Sequence, residues 1–422
     1  MISGNNRLAL RQEIGFLFII NGVYMANILH EITPFFSENL SSIFMLIGTV
    51  LLIDVNNFLR AKLPRLTKPV FVLLVFQFLI ILYISSAKQF VSDTRTKDVL
   101  YCLFSIFLIL FSSTIPREKY AERLPRMLFY FNIVMLLLLI YLVFSNPNYS
   151  VGQRYVLQSG GDAITMALGT TTFAIPIYVY TAKNKFEIIL KCIAGVLICI
   201  CMVIFITRTA IFALFVSLIV LFIIRDKRHI TKSALDKFAP LIIVIIPIVY
   251  LCATSEFLIK GISVVSDKTV NGVQTYLGLN GVKYIDESAN VRLNKLPEVS
   301  RLIFNNGLSH FLFGNGYMTM YVDIPAYQIF LDMGLFGGII YIYCLILLAL
   351  KHIMKLKKTL KKIENDKVKQ QLLLFTILTI PIIIKQFVSA LPYGADVYWP
   401  TILCTVMTQY NLTIQTKGDV QT

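Results

Sequence analysis

The chain has 422 residues, of which 57% are hydrophobic and only 15% charged, with a mean hydropathy of +0.73. A soluble domain carries about a quarter charged residues, so this composition excludes a soluble enzyme and demands membrane spans. The formal net charge of +16 then becomes a question of where along the chain the cations lie.

Long apolar runs predict transmembrane helices. Twelve are predicted, at roughly 14–30, 40–58, 69–87, 98–115, 127–145, 161–181, 188–206, 209–224, 239–257, 324–350, 371–390 and 396–413. The expected fold is therefore all-α: a polytopic helix bundle forming one membrane domain over 1–422, with one large extracytoplasmic loop at 258–323 that contains short helices. The first run lacks a small-residue cleavage site and is followed by Glu31. It reads as a retained span. Only Thr207, Arg208 and Thr209 separate the seventh run from the eighth.

Charge sets the orientation. With the N-terminus inside, the inner segments 1–13, 59–68, 116–126, 182–191, 225–238, 351–370 and the tail carry 27 of the 39 Lys and Arg residues. Both termini are thus predicted cytoplasmic. The basic excess faces anionic lipid headgroups, which makes membrane lipids partners and removes the motive for a nucleic-acid role. The basic run Lys351 to Lys369 is expected as a helical extension on the inner surface or as a solvated loop.

The seven cysteines, Cys102, Cys192, Cys199, Cys201, Cys252, Cys344 and Cys404, all fall in apolar runs, where they serve as small packing groups. The histidines His30, His229, His310 and His352 are scattered without metal-ligand spacing, so no metal or cofactor is expected.

The outer side carries the unusual residues. Loop 146–160 holds Arg154 and Tyr155 among turn formers. In the long loop, Leu296 to Phe313 is spaced partly as an amphipathic helix. Such a helix either lies at the membrane surface or folds back over the bundle. The stretch Pro297 to Gly338 holds Arg301, His310, the turn Gly314-Asn315-Gly316 and Asp323, then Gly334, Gly337 and Gly338 inside an apolar run.

Each of these residues has two readings. Arg208 sits at the membrane lip, where an uncompensated arginine is costly, by about 2.5–3.5 kcal/mol at a helix centre and less at its edge. It either snorkels while turning a hairpin or clamps an anion at headgroup depth. Arginine suits the second task because its planar fork stays charged and binds phosphate oxygens in pairs. Arg301 and Arg154 are either solvated or part of that clamp. Asp323 precedes Ile324-Pro325 and is either a helix cap or a base for an acceptor hydroxyl. His310 is a rival base or a solvated loop residue. Tyr155, Tyr317, Tyr321 and Tyr327 either stack on sugars or mark the membrane interface.

The stretch Arg301…Leu312-Phe313-Gly314-Asn315-Gly316…Asp323-Ile324-Pro325-Ala326-Tyr327…Asp332-Met333-Gly334-Leu335-Phe336-Gly337 resembles the signature of the O-antigen polymerase and ligase superfamily. The Thr207-Arg208-Thr209-Ala210 hairpin is similar to that family's Ser-Arg-small turn. Ligases carry a His-Asn pair near the position that Asp323 occupies here, so the resemblance favours a polymerase. It implies a metal-independent, inverting membrane glycosyltransferase of the C type in the bacterial inner membrane, with its active site on the periplasmic face. The substrates would be oligosaccharide repeat units on undecaprenyl pyrophosphate, one as donor and one as acceptor, and a chain-length regulator would be a further partner. Arg208 and Arg301 would stabilise the leaving pyrophosphate, Asp323 would accept the acceptor's proton, and Arg154, Tyr155, His310 and Tyr327 would bind substrate. The alternatives are an O-antigen ligase and, from another class, a lipid-linked oligosaccharide flippase or transporter. No internal repeat is visible, which weighs against an inverted-repeat transporter.

Overall fold

A computed structural model gives the fold. It describes residues 4–33, 40–52, 68–82, 95–112, 123–147, 149, 163–205, 208–224, 287–322, 324–361, 363, 366–388 and 393, with isolated positions between 263 and 274. The described residues are helical, with no strand among them. The helices are α1 (Gly4–Ile32), α2 (Leu40–Leu52), α3 (Lys68–Leu82), α4 (Arg95–Ser112), α5 (Leu124–Ser145), α6 (Ala163–Val179), α7 (Lys185–Phe205) and α8 (Arg208–Ile224). After the long loop come α9 (Glu287–Asn305), α10 (Leu308–Phe313), α11 (Pro325–Ile342), α12 (Leu348–Leu360) and α13 (Asp366–Val388).

Among the described residues, five segments are long and apolar enough to cross a membrane: Leu10–Ile32, Leu124–Ser145, Lys185–Phe205, Pro325–Leu347 and Lys369–Phe387. Leu40–Leu52, Lys68–Leu82, Asp98–Phe107 and Thr209–Ile224 are shorter apolar helices. Helices stand at ten of the twelve predicted runs, while 239–257 and 396–413 lie outside the described residues. The run predicted at 324–350 differs most. Its helix passes through a π turn at Tyr343–Leu347 straight into α12, so the lysines from Lys351 onward extend the same helix. Leu356 and Leu360 bury their side chains while Lys351, Lys355 and Lys357 stay exposed.

Two apolar clusters form the bundle. The first joins α1 to α4 with α11, α12 and α13 and takes in residues of α5, α6 and α8; the second joins α1 with α5, α6, α7 and α8. Helix α13 packs on α5, α6 and α8 as well as on α11 and α12, so it ties the two together. Helix α1 does the same from the other end of the sequence, packing on α2, α5 and α6. The α1–α2 crossing is tight because it has glycine on both sides. A Cβ on Gly15 would stand 2.9 Å from the Gly48 carbonyl oxygen. Small residues let helix backbones approach in membranes, and polar side chains join helices there. Asn21 of α1 donates to Asn132 of α5 (2.9 Å), which donates to the Phe173 carbonyl of α6 (3.1 Å).

A second polar knot closes the α6–α7 turn. Asn184 accepts the Glu187 backbone N–H (2.8 Å), the N-cap arrangement expected ahead of α7. The buried Glu187 carboxylate accepts from Tyr130 (2.9 Å), Tyr180 (3.0 Å) and the Lys183 N–H (2.7 Å), with Arg126 at 3.1 Å. Lys191 donates to the carbonyls of Tyr178 and Tyr180 at the end of α6 (3.0 and 2.8 Å). Glu187→Ala is expected to cost about 2–3 kcal/mol, because buried donors left without an acceptor carry the desolvation penalty. A denaturation midpoint in detergent checks it, and an unchanged midpoint would mean the knot carries no stability.

Candidate functional site

Helix α11 is not one regular helix. Gly334 has φ 66° and ψ −165°, a conformation outside the helical region that breaks the ladder. A break leaves carbonyls of the preceding turn without their usual partners. Here the loop supplies them: the Asn315 N–H donates to the Leu331 carbonyl (2.8 Å) and the Gly316 N–H to the Asp332 carbonyl (3.1 Å).

That docking is backbone against backbone. A Cβ on Gly314 (φ 89°) would collide with the Asp332 carbonyl and the Met333 nitrogen. A Cβ on Gly334 would collide with the Gly314 nitrogen and the Leu312 carbonyl. Each position therefore needs glycine, both because the facing backbone leaves no space for a Cβ and because positive φ is poorly tolerated by other residues.

Side chains lock the clasp. The Asn315 amide reaches the carbonyls of Leu302 and Leu331 (3.3 Å each) and accepts from Asn306 (2.9 Å). Gln328 accepts the Val322 N–H (2.7 Å) and donates to the Met320 carbonyl (3.0 Å) and to Asp332 (2.9 Å). Asp332 is fully buried. Its carboxylate also accepts from the Tyr393 hydroxyl (2.7 Å) and from the backbone N–H groups of Met318 and Thr319. A second buried acid, Asp98 of α4, accepts from Tyr317 (2.6 Å), whose ring lies 5.1 Å from that of Tyr393. Two carboxylates thus fix one loop to α4, α11 and the Tyr393 segment.

On this clasp ride α9 and α10. Val299 of α9 is buried with Val322, Ile324 and Leu331, and Leu302 and Ile303 pack beside them. This answers one question left open by spacing: α9 folds back over the end of the bundle. Pro297 lies inside α9 rather than at its start, and Gly307 (φ 93°) separates α9 from α10. Arg301 stands on the exposed side of α9, where it pairs with no acid among the described residues. His310 is exposed on α10, and Tyr327 is exposed in the first turn of α11. Because α9, α10 and α11 pack on one another, the elements bearing these three residues come together.

The other expected site residues are placed less fully. Arg208 opens α8, which packs on α6 and α13; its side chain lies outside the described residues. So do Arg154, Tyr155 and Asp323. Tyr317, expected as a sugar-stacking residue or an interface marker, donates its hydroxyl to Asp98. Asp332, Asp98, Gln328 and Tyr393 were not expected to matter. The available signal was Asp332 itself, an acid inside an apolar run and within the glycine pattern.

Fold and site together define, among the described residues, an all-helical protein with several helices long and apolar enough to cross a membrane and a loop clasped to one of them. No family model and no curated protein matches this chain.

Proposed function

We propose that this chain is a polymerase of the O-antigen polymerase/ligase type, an inverting C-type glycosyltransferase of about twelve spans. In this reading it lies in the bacterial inner membrane with both termini cytoplasmic. It joins undecaprenyl-pyrophosphate-linked oligosaccharide repeat units on the periplasmic side. One observation supports the reading: the two glycine motifs of the resemblance, 20 residues apart, interlock through Gly314 and Gly334. A motif whose parts fit one another is better support than the same letters scattered over a loop.

The chemistry is the one the resemblance implies. The acceptor's hydroxyl oxygen bonds to the donor's anomeric carbon as the bond from that carbon to the pyrophosphate oxygen breaks. Asp323 takes the hydroxyl proton, and undecaprenyl pyrophosphate leaves with the electron pair. Negative charge grows on the bridging oxygen, and Arg208 and Arg301 stabilise it, with Arg154 assisting. Tyr155, His310 and Tyr327 contact the sugars.

Deleting the gene in its native strain is expected to leave single repeat units attached to the usual acceptor on a polysaccharide gel. Complete loss of attached glycan would point to a ligase, and lipid-linked units trapped inside would point to a flippase. Arg301→Ala is expected to cut chain extension about a hundredfold or more at normal protein level, since losing one such donor costs about 10²–10³ in rate. Chains of normal length in that variant would remove Arg301 from the mechanism.

A further inference from the structure

Helix α10 has six residues and buries none of them. A helix this short does not persist in water by propensity alone. Two of its apolar residues are nonetheless wide open, Leu308 at 73% and Phe313 at 54%, as is Phe304 at the end of α9 at 66%, while Phe311 and Leu312 are half-buried. Phe304 stacks on Phe311 with centroids 5.7 Å apart, so these residues form one aromatic and aliphatic patch.

The patch has a continuation. Phe313 stacks on Phe336 of α11 at 5.6 Å. Phe336 is itself exposed and begins a stripe of exposed apolar residues, Phe336, Ile339, Tyr343 and Leu347, on a segment long and apolar enough to cross a membrane. Such a stripe on a spanning helix faces lipid. The exposed side of α10 therefore joins a lipid-facing surface.

Depth follows from the clasp. Gly314, at the end of α10, abuts Gly334. From Gly334 the helix runs apolar to the exposed Lys351, about 26 Å at 1.5 Å per residue, close to the ~30 Å of a hydrocarbon core. With Lys351 set at one edge of that core, Gly334 and α10 fall near the other. Arg301 lies one turn before Phe304 on α9.

We propose that Phe304, Leu308, Phe311 and Phe313 form an interfacial anchor that inserts among the lipids of the leaflet at the Gly334 end of α11. The anchor sets Arg301 at the depth of the lipid phosphates. It fits a lipid surface, apolar below and anionic above, rather than a second protein chain. It stands on packing alone, and it deepens the polymerase reading by putting Arg301 where a lipid-borne pyrophosphate is presented.

Tryptophan reporters test it in the full chain. The sequence has one tryptophan, Trp399, so Trp399→Phe gives a dark background. Leu308→Trp and, separately, Phe304→Trp are placed in it, and Val134→Trp in the middle of α5 serves as the deep reference. Each is reconstituted into vesicles whose phospholipids carry bromine near the headgroup or near the chain end. The anchor predicts blue-shifted emission at 304 and 308, quenched several-fold more by shallow bromine than by deep bromine, with the opposite order at 134. Water-like emission that neither lipid quenches would overturn it. So would blue-shifted emission that no bromolipid quenches, since a protein surface would then cover the patch. Two reporters keep the outcome independent of one misfolded variant, and neither reads glycan synthesis, so failure here leaves the gel experiment standing.

Discussion

Replacing Gly334 with alanine is expected to destabilise the protein by about 2–6 kcal/mol, from two costs that add. The backbone there (φ 66°, ψ −165°) lies in a region essentially reserved for glycine, and holding another residue in such a region costs about 1–3 kcal/mol. The new Cβ would also meet the Gly314 nitrogen and the Leu312 carbonyl. These are backbone atoms, so no side chain can rotate away. Overpacking of that kind costs about 1–3 kcal/mol. Gly314→Ala is expected to behave similarly, since its Cβ meets the Asp332 carbonyl. Because both substitutions open the same docking, the double variant should lose clearly less than the sum of the two. Unfolding in detergent micelles measures this. A loss below about 1 kcal/mol for Gly334→Ala would mean that the clasp yields freely, and additive losses would mean the two glycines act separately.

The second large effect is expected at Asp332. Asp332→Ala leaves the Tyr393 hydroxyl, the Gln328 amide and the N–H groups of Met318 and Thr319 without their acceptor in a buried site. One buried group left unsatisfied costs about 1–3 kcal/mol, and four share this carboxylate. A loss of at least about 3–5 kcal/mol is expected, the range seen when a buried charged group's pairing is broken. Asp332→Asn keeps the shape but turns an NH₂ toward donors, so it should lose less than alanine and still be harmful. Tyr393→Phe removes a single donor and is expected to cost only about 1–2 kcal/mol. The ordering alanine, asparagine, then Tyr393→Phe is the test. Equal, small effects would mean that the network does not hold the loop. Polysaccharide chain length measured alongside tells whether loosening the loop also stops synthesis.

The helices were legible because each is a local pattern. An apolar run such as 127–145 announces a span without reference to anything else, and α5 occupies Leu124–Ser145. The glycine motif was legible as letters but not as geometry. Gly334 reads from sequence as a small residue within a span, whereas in the fold it ends one helical segment and begins another. The acids show the same limit. Asp332 looks like a stray charge in an apolar run and Asp98 like one more charge beside Arg95 and Lys97 at the head of one, since their partners Tyr393 and Tyr317 are 61 and 219 residues away. The exposed residues Arg301, His310 and Tyr327 were easier to pick out, because exposure needs no partner.

The sequence by itself determined that this is a helical protein with membrane-crossing segments, because hydropathy and helical spacing act within single stretches of chain. Only the tertiary structure decided that Asp332 is a buried hub, that α9 folds back over the bundle and that Gly314 meets Gly334. Those outcomes depend on which backbone groups a broken helix leaves unpaired and which distant segment satisfies them. Hydrogen-bond satisfaction in a buried site is a property of the assembled fold, and no local pattern encodes it.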